Sequence, residues 1–195
     1  MPAMEEETEP LRILVSGDRG AGKTTLCLKA VEALQKRGVR CGGVLCPKLL
    51  DGDGKVLGIE VLDLGESPPP RRVLARTDRR LDGPCTGAYH FSAEGFRFGQ
   101  EALARGAAGA DTLVADELGP LEMRGQGFAN LLELALDASI LLMIISVRPS
   151  LVEEVRQRLK GFRVVLVRVD AASRERAERE LLGHLFAFDR LTGFP

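Results

Sequence analysis

Net charge is what this sequence has least of. The 27 Lys and Arg residues stand against 28 Asp and Glu, a formal charge of -1, which removes any general electrostatic pull toward nucleic acid or an anionic membrane surface. Long apolar runs are missing too: the longest, Ala138 to Val147, is too short to cross a bilayer as a helix. The opening Met1 to Pro10 is acidic and carries no apolar stretch of the kind a secretory signal needs. A soluble cytoplasmic protein without membrane contact is expected. Among Cys27, Cys41, Cys46 and Cys85 there is no Cys-x-x-Cys pair, so the thiols read as small buried side chains rather than zinc ligands. His90 and His184 show no convincing ligand or nucleophile constellation and read as structural or solvated.

What is present is a core and a motif. With 45% hydrophobic residues in 195, the chain can bury one sizeable core. One domain over residues 11–185 is expected, between an acidic tail, 1–10, and a C-terminal tail, 186–195. Gly17-Asp18-Arg19-Gly20-Ala21-Gly22-Lys23-Thr24 fits the phosphate-binding pattern G-x-x-x-x-G-K-S/T. Glycines let successive backbone N–H groups turn inward around phosphates, Lys23 reaches the β/γ oxygens, and the Thr24 hydroxyl suits Mg²⁺. The context agrees. Leu11 to Val15 reads as a buried parallel strand, and Leu26, Ala30 and Leu34 recur at helical spacing up to a stop at Gly38. Lys36 and Arg37 then sit in the last turn, where the helix dipole favours cations. A nucleoside triphosphate such as ATP or GTP is the expected ligand, with Gly17 through Thr25 as its phosphate contacts.

Beyond the loop, Val39 to Cys46 reads as a strand, and Val56 to Leu64 as an antiparallel hairpin extension after the turn-rich Asp51 to Gly54. Residues 65–90, with Pro68-Pro69-Pro70 and several arginines, read as a long irregular loop. Helices are expected over Ala93 to Ala107, Gly127 to Asp137, Ser150 to Leu159 and Ser173 to His184; strands are expected over Thr112 to Ala115, Ile140 to Val147 and Arg163 to Val169. This alternation implies an α/β fold: a mostly parallel sheet, helices on both faces, and a ligand at the strands' carboxyl ends.

Asp116 follows strand-forming residues, where a carboxylate can hold Mg²⁺ opposite Thr24. Next to it, Glu117 is placed to orient a water for attack on the γ-phosphorus. Glu122 is a candidate for holding a basic loop or supporting the metal's surroundings. Positive charge at the γ-phosphate speeds phosphoryl transfer, and several arginines compete for that place: Arg148 beyond a strand end, Arg124 after the acidic pair, and Arg71, Arg72, Arg76, Arg79 and Arg80 in the long loop. Of these, Arg148 and Arg72 are the candidates for phosphate or partner contact. Tyr89, Phe91, Phe96 and Phe98 pack under a loop by default, with base stacking as the alternative.

These features together resemble the THEP-type nucleoside triphosphatases. Asp116-Glu117-Leu118-Gly119-Pro120-Leu121-Glu122-Met123 is similar to that family's D-E-I/L-G-x-M/L-E motif, and Val39-Arg40-Cys41-Gly42-Gly43 to its second-strand Gly-Gly signature. Shorter landmarks are Arg72 to Ala75, Gly87-Ala88-Tyr89 and Leu151 to Val155. The resemblance implies a RecA-like P-loop NTPase fold with an extra strand between the phosphate-loop strand and the Asp116 strand. It also implies slow, Mg²⁺-dependent hydrolysis of ATP, GTP and other triphosphates, with Thr24 and Asp116 serving the metal and Lys23 and Glu117 serving catalysis. Asp18 and Arg19 replace the family's usual small residues, Cys46-Pro47-Lys48 stands where Thr-x-Glu is common, and Val56 and Ile59 replace an Arg and a Phe. Substrate choice is the property these departures touch.

Two other readings stay open beside the hydrolase. One is a nucleotide-dependent switch or assembly factor whose protein partner stimulates hydrolysis. The other, a small-molecule kinase, is disfavoured because the chain shows no evident lid segment to keep water out.

Overall fold

Leu11–Ser16 (β1) is buried along its whole length, which explains why it is apolar on both faces rather than alternating. The computed structural model describes residues 9–192, and β1 is second from the edge among the parallel strands. It pairs in parallel with Leu142–Val147 (β9) on one side and Arg163–Arg168 (β10) on the other. Beyond β9 come Thr112–Leu118 (β8) and then Cys41–Leu45 (β2), both parallel. The sheet then turns antiparallel through Val56–Asp63 (β4), which also pairs with the short Lys48–Leu50 (β3). Arg71–Arg76 (β5), Tyr89–Phe91 (β7) and Cys85–Thr86 (β6) complete it. The order is β10-β1-β9-β8-β2-β4-β5-β7-β6.

Helices cover both faces, and the side-chain alternation of β1 assigns them. Lys23–Gln35 (α1) and Arg174–Thr192 (α5) pack with Leu11, Ile13 and Val15. On the opposite face, Leu14 packs with residues of Ala93–Gly109 (α2), Leu131–Ala135 (α3) and Val152–Arg158 (α4). The α2 helix comes so close to β2 that a Cβ on Gly42 would sit 2.6 Å from the Gly106 Cα. The Gly-Gly pair is therefore a packing requirement.

Several expected elements differ. Residues 65–90 are not a single irregular loop: they build β5, β6 and β7, whose ladders rest on pairing with β4 and with one another. Arg71 and Arg72 are exposed at the start of β5, so that strand lacks the apolar alternation that marks a strand in sequence. The helix expected over 127–137 shrinks to α3 because Gly127 adopts φ 61 and the backbone before it is held by a side chain described below. Pro149 opens a 3-10 turn, Pro149–Leu151, so α4 begins at Val152. The last helix runs to Thr192, so much of the expected C-terminal tail is helical. The expected tail segments 1–8 and 193–195 lie outside the described residues. Cys27 and Cys41 are buried as expected, but Cys85 is exposed, with its Sγ 2.9 Å from His90 Nδ1. His90 thus has a thiol neighbour that its place in the sequence did not suggest, because the two meet only across the β6–β7 ladder.

Arg12 is fully buried on β1. Its guanidinium donates to the carbonyls of Ala135 at 2.8 Å, Ile140 at 2.7 Å and Asp137 at 2.7 Å, and lies 4.5 Å from the Phe162 ring centroid. Burial lowers its pKa to about 10, against the pull of Asp137. One side chain thereby satisfies the end of α3 and the entry to β9. Arg12→Leu should strand these carbonyls and destabilise the fold by at least about 3 kcal/mol, read as a lower urea midpoint with unchanged m.

Candidate active site

The β1 strand ends at Ser16 and the chain turns directly into the phosphate-binding loop. Its shape depends on glycine: a Cβ on Gly17 would overlap the Val169 carbonyl oxygen, Gly20 has φ 81, and Gly22, the N-cap of α1, has φ 113. The last two conformations are ones that L side chains rarely adopt. The Lys23 Nζ donates to the carbonyls of Gly17 at 2.6 Å and Asp18 at 3.2 Å, so the ammonium lies against the loop it follows. Asp18, Arg19, Gly20 and Thr25 are exposed, while Ala21 and Lys23 are buried. From α5, Arg174 Nε donates to the Ala21 carbonyl at 3.1 Å, bracing the loop from outside. On the other side, the Arg19 guanidinium sits 5.0 Å from the Tyr89 ring centroid. The β6–β7 hairpin at the far edge of the sheet therefore reaches back to the loop.

Asp116 and Glu117 lie within β8 rather than after it, because the strand runs on to Leu118 across a register shift. The peptide joining them is cis. Asp116 is 2% exposed. It accepts from Ser146 Oγ at 2.6 Å and from the Cys46 amide at 3.1 Å, and Thr24 lies close enough to lower its pKa. Thr24 and Asp116 thus lie near one another, although 92 positions separate them in the chain. Burial raises the Asp116 pKa above the ordinary carboxylate value, and Glu117 pushes the same way against those hydrogen bonds; no cationic side chain is among the groups that shift it. A hydroxyl and a buried carboxylate without a cationic partner suit a hard divalent cation that takes oxygen donors.

Glu117 is half-exposed, and Arg148 Nε donates to its Oε1 at 2.5 Å. Arg148, a candidate for phosphate contact, is therefore committed to the carboxylate beside Asp116. Arg72 lies elsewhere, on β5, donating to the Arg71 carbonyl at 2.9 Å and lying 3.7 Å from Glu94 and 5.3 Å from the Phe98 ring centroid. The Glu122 carboxylate is engaged by backbone amides, close enough to Glu117 to feel its charge. Its Oε2 accepts from Gly119 N at 2.9 Å and its Oε1 from Phe128 N at 3.1 Å, clasping the turn after β8, and burial raises its pKa. Phe96 is buried, stacked on Phe91 at 5.1 Å and edge-on to Phe128 at 5.5 Å; of the aromatic cluster, Tyr89 alone faces the loop in these ring contacts.

Ser146 is the functional neighbour that the sequence reading missed. Its signal was a single hydroxyl inside the otherwise apolar run Leu142–Val147, on the strand between β1 and β8. Ser146→Ala should preserve the fold but weaken Mg²⁺-dependent triphosphate binding by about 1.5 kcal/mol, the scale of one hydrogen bond to a charged group, read by calorimetric titration.

A family model described as NTPase matches residues 12–182 of this chain. The chain is 30% identical over 179 residues to the nucleoside-triphosphatase THEP1 of Methanopyrus kandleri, covering 90% of this chain and 96% of that protein. It is also 30% identical to THEP1 of Archaeoglobus fulgidus over 174 residues, 88% of this chain and 96% of the relative. In three dimensions it is similar to the crystal structure of THEP1 from the hyperthermophile Aquifex aeolicus. The TM-score is 0.71 at 19% identity, over 89% of this chain and 98% of that one.

Proposed function

The chain belongs to the NTPase family of THEP1-type nucleoside triphosphatases and is a hydrolase acting on nucleoside triphosphates, and we propose that it works as a slow, Mg²⁺-dependent enzyme tolerant of several bases, ATP and GTP included. The observation that carries this reading is buried Asp116, held by Ser146 and the Cys46 amide close to Thr24 at the end of the phosphate loop. Loop amides and Lys23 hold the β and γ oxygens and stabilise the charge that develops there during transfer. Mg²⁺, held by Thr24 and Asp116, would neutralise phosphate oxygens when bound. Ser146 and the Cys46 amide fix the rotamer of Asp116. Glu117, half-exposed next to it, accepts a proton from the attacking water, which is thereby aimed at the γ-phosphorus.

Slow turnover has a structural support. The arginine nearest the acidic pair is bound to Glu117, so it orients that carboxylate rather than standing free to meet the γ-phosphate. P-loop enzymes without a completed arginine finger turn over at about 10⁻⁴ to 10⁻² s⁻¹. No described helix is long and apolar enough to cross a membrane, and with balanced charge this supports a cytoplasmic enzyme that does not depend on membrane or nucleic acid.

Lys23→Ala should weaken triphosphate binding by about 1.5 to 3 kcal/mol. Glu117→Gln should keep binding and lose most turnover, since only activation of the water is removed. Phosphate release and nucleotide binding, measured side by side in wild type and both variants, check this. Equal phosphate release by Glu117→Gln and wild type would remove Glu117 from the mechanism.

A further inference from the structure

Arg19, in the phosphate loop, is exposed, and among the described residues its guanidinium makes no hydrogen bond or ion pair. What it meets is the Tyr89 ring, whose centroid lies 5.0 Å from the guanidinium carbon. A cation–π contact commits no N–H donor to an oxygen, so the donors of the guanidinium stay available to an anion.

The contact spans most of the sheet. β7, which carries Tyr89, stands six places from β1 in the strand order, and six strand spacings of about 4.8 Å come to about 29 Å in a flat sheet. An arginine and a tyrosine side chain cannot bridge that distance, so the extension curls back until its hairpin faces the loop. The carboxyl ends of β9, β8 and β2 lie in the stretch so spanned, and with them Asp116 and Glu117.

Tyr89 is also fixed from behind. It shares one face of β7 with Phe91, the ring centroids 6.5 Å apart. Phe91 stacks on Phe96 of α2, and Phe96 meets Phe128 edge-on. The Phe128 amide donates to Glu122, whose other oxygen accepts from Gly119, in the turn after the acidic pair. A chain of contacts therefore runs from that turn through buried Phe128 and Phe96 to Tyr89 and Arg19, and a cation placed in this way loses little freedom when it meets a ligand.

We infer that the β6–β7 hairpin is a working part of the triphosphate site: Tyr89 positions the Arg19 side chain, and the Arg19 guanidinium binds an oxygen of the phosphate chain. The hairpin thereby closes the loop from the β8 side. What Arg19 recognises is the polyphosphate and not the base, so nucleotides with different bases gain alike from it. A contact held equally before and during transfer strengthens binding without speeding the reaction, which agrees with slow turnover. The inference rests on the reading of the loop as a triphosphate site.

The test titrates Arg19→Ala, Tyr89→Ala, Tyr89→Phe and the double variant Arg19→Ala/Tyr89→Ala by calorimetry with ATP, GTP and inorganic tripolyphosphate in the presence of Mg²⁺. Arg19→Ala should lose at least about tenfold in affinity for all three ligands, the scale of a hydrogen bond to a charged group. Tyr89→Ala should lose about two- to fivefold, and Tyr89→Phe, which keeps the ring, should restore the wild-type affinity. The double variant should bind no more weakly than Arg19→Ala alone. Unchanged tripolyphosphate affinity in Arg19→Ala would overturn the inference. So would a Tyr89→Phe protein as weak as Tyr89→Ala, or losses that add in the double variant, since Tyr89 would then act independently of Arg19. Failure of the wild type to bind nucleotides and tripolyphosphate alike would instead overturn the triphosphate reading on which the inference rests.

Discussion

A carboxylate taken out of water is the constraint around which this molecule is arranged. Asp116 is 2% exposed, and burial of a charge is costly unless hydrogen bonds and a counter-charge compensate. Two donors from different parts of the chain bond to it, Ser146 from β9 and the Cys46 amide after β2, and Thr24 from α1 lies close enough to lower its pKa. They can do so because β9 lies between β1 and β8. That insertion puts the loop and the acidic strand on the same carboxyl edge, with one strand between them. The hydrogen bonds lower the pKa that burial raises, and a divalent cation would complete the compensation.

Much of this was legible in the sequence because local chemistry dictates it. The loop needs glycine at positive φ, lysine at the first turn of a helix and a buried apolar strand before it, and all three follow from neighbouring residues. The parallel strands were visible as short apolar runs for the same reason. What escaped was non-local. β5 to β7 exist through pairing with one another and with β4, and β5 opens with two exposed arginines that mimic a loop. Glu122 looked like part of the acidic site, yet it serves the turn that follows, because its carboxylate reaches the Gly119 and Phe128 amides. Arg148 had the right address at a strand end, and only the fold showed that Glu117 takes its guanidinium.

The antiparallel extension changes how the cleft is bounded. Its hairpin carries Tyr89 back to Arg19 of the loop. The exposed Cys85 and His90 pair across the same hairpin. The loop is therefore braced twice, by Arg174 of α5 on one side and by the extension on the other. Residues 46–59 sit on strands or turns of this extension or at its root rather than in the phosphate loop.

The central claim is that Thr24 and Asp116 share one magnesium ion with the bound triphosphate. Titrating ATP into wild type and Asp116→Asn, each with Mg²⁺ and with a chelator, tests it most directly. The account predicts that Mg²⁺ tightens binding to wild type, whereas Asp116→Asn remains folded and gains little or nothing from the metal. An Asp116→Asn protein that keeps the full gain from Mg²⁺ would contradict it.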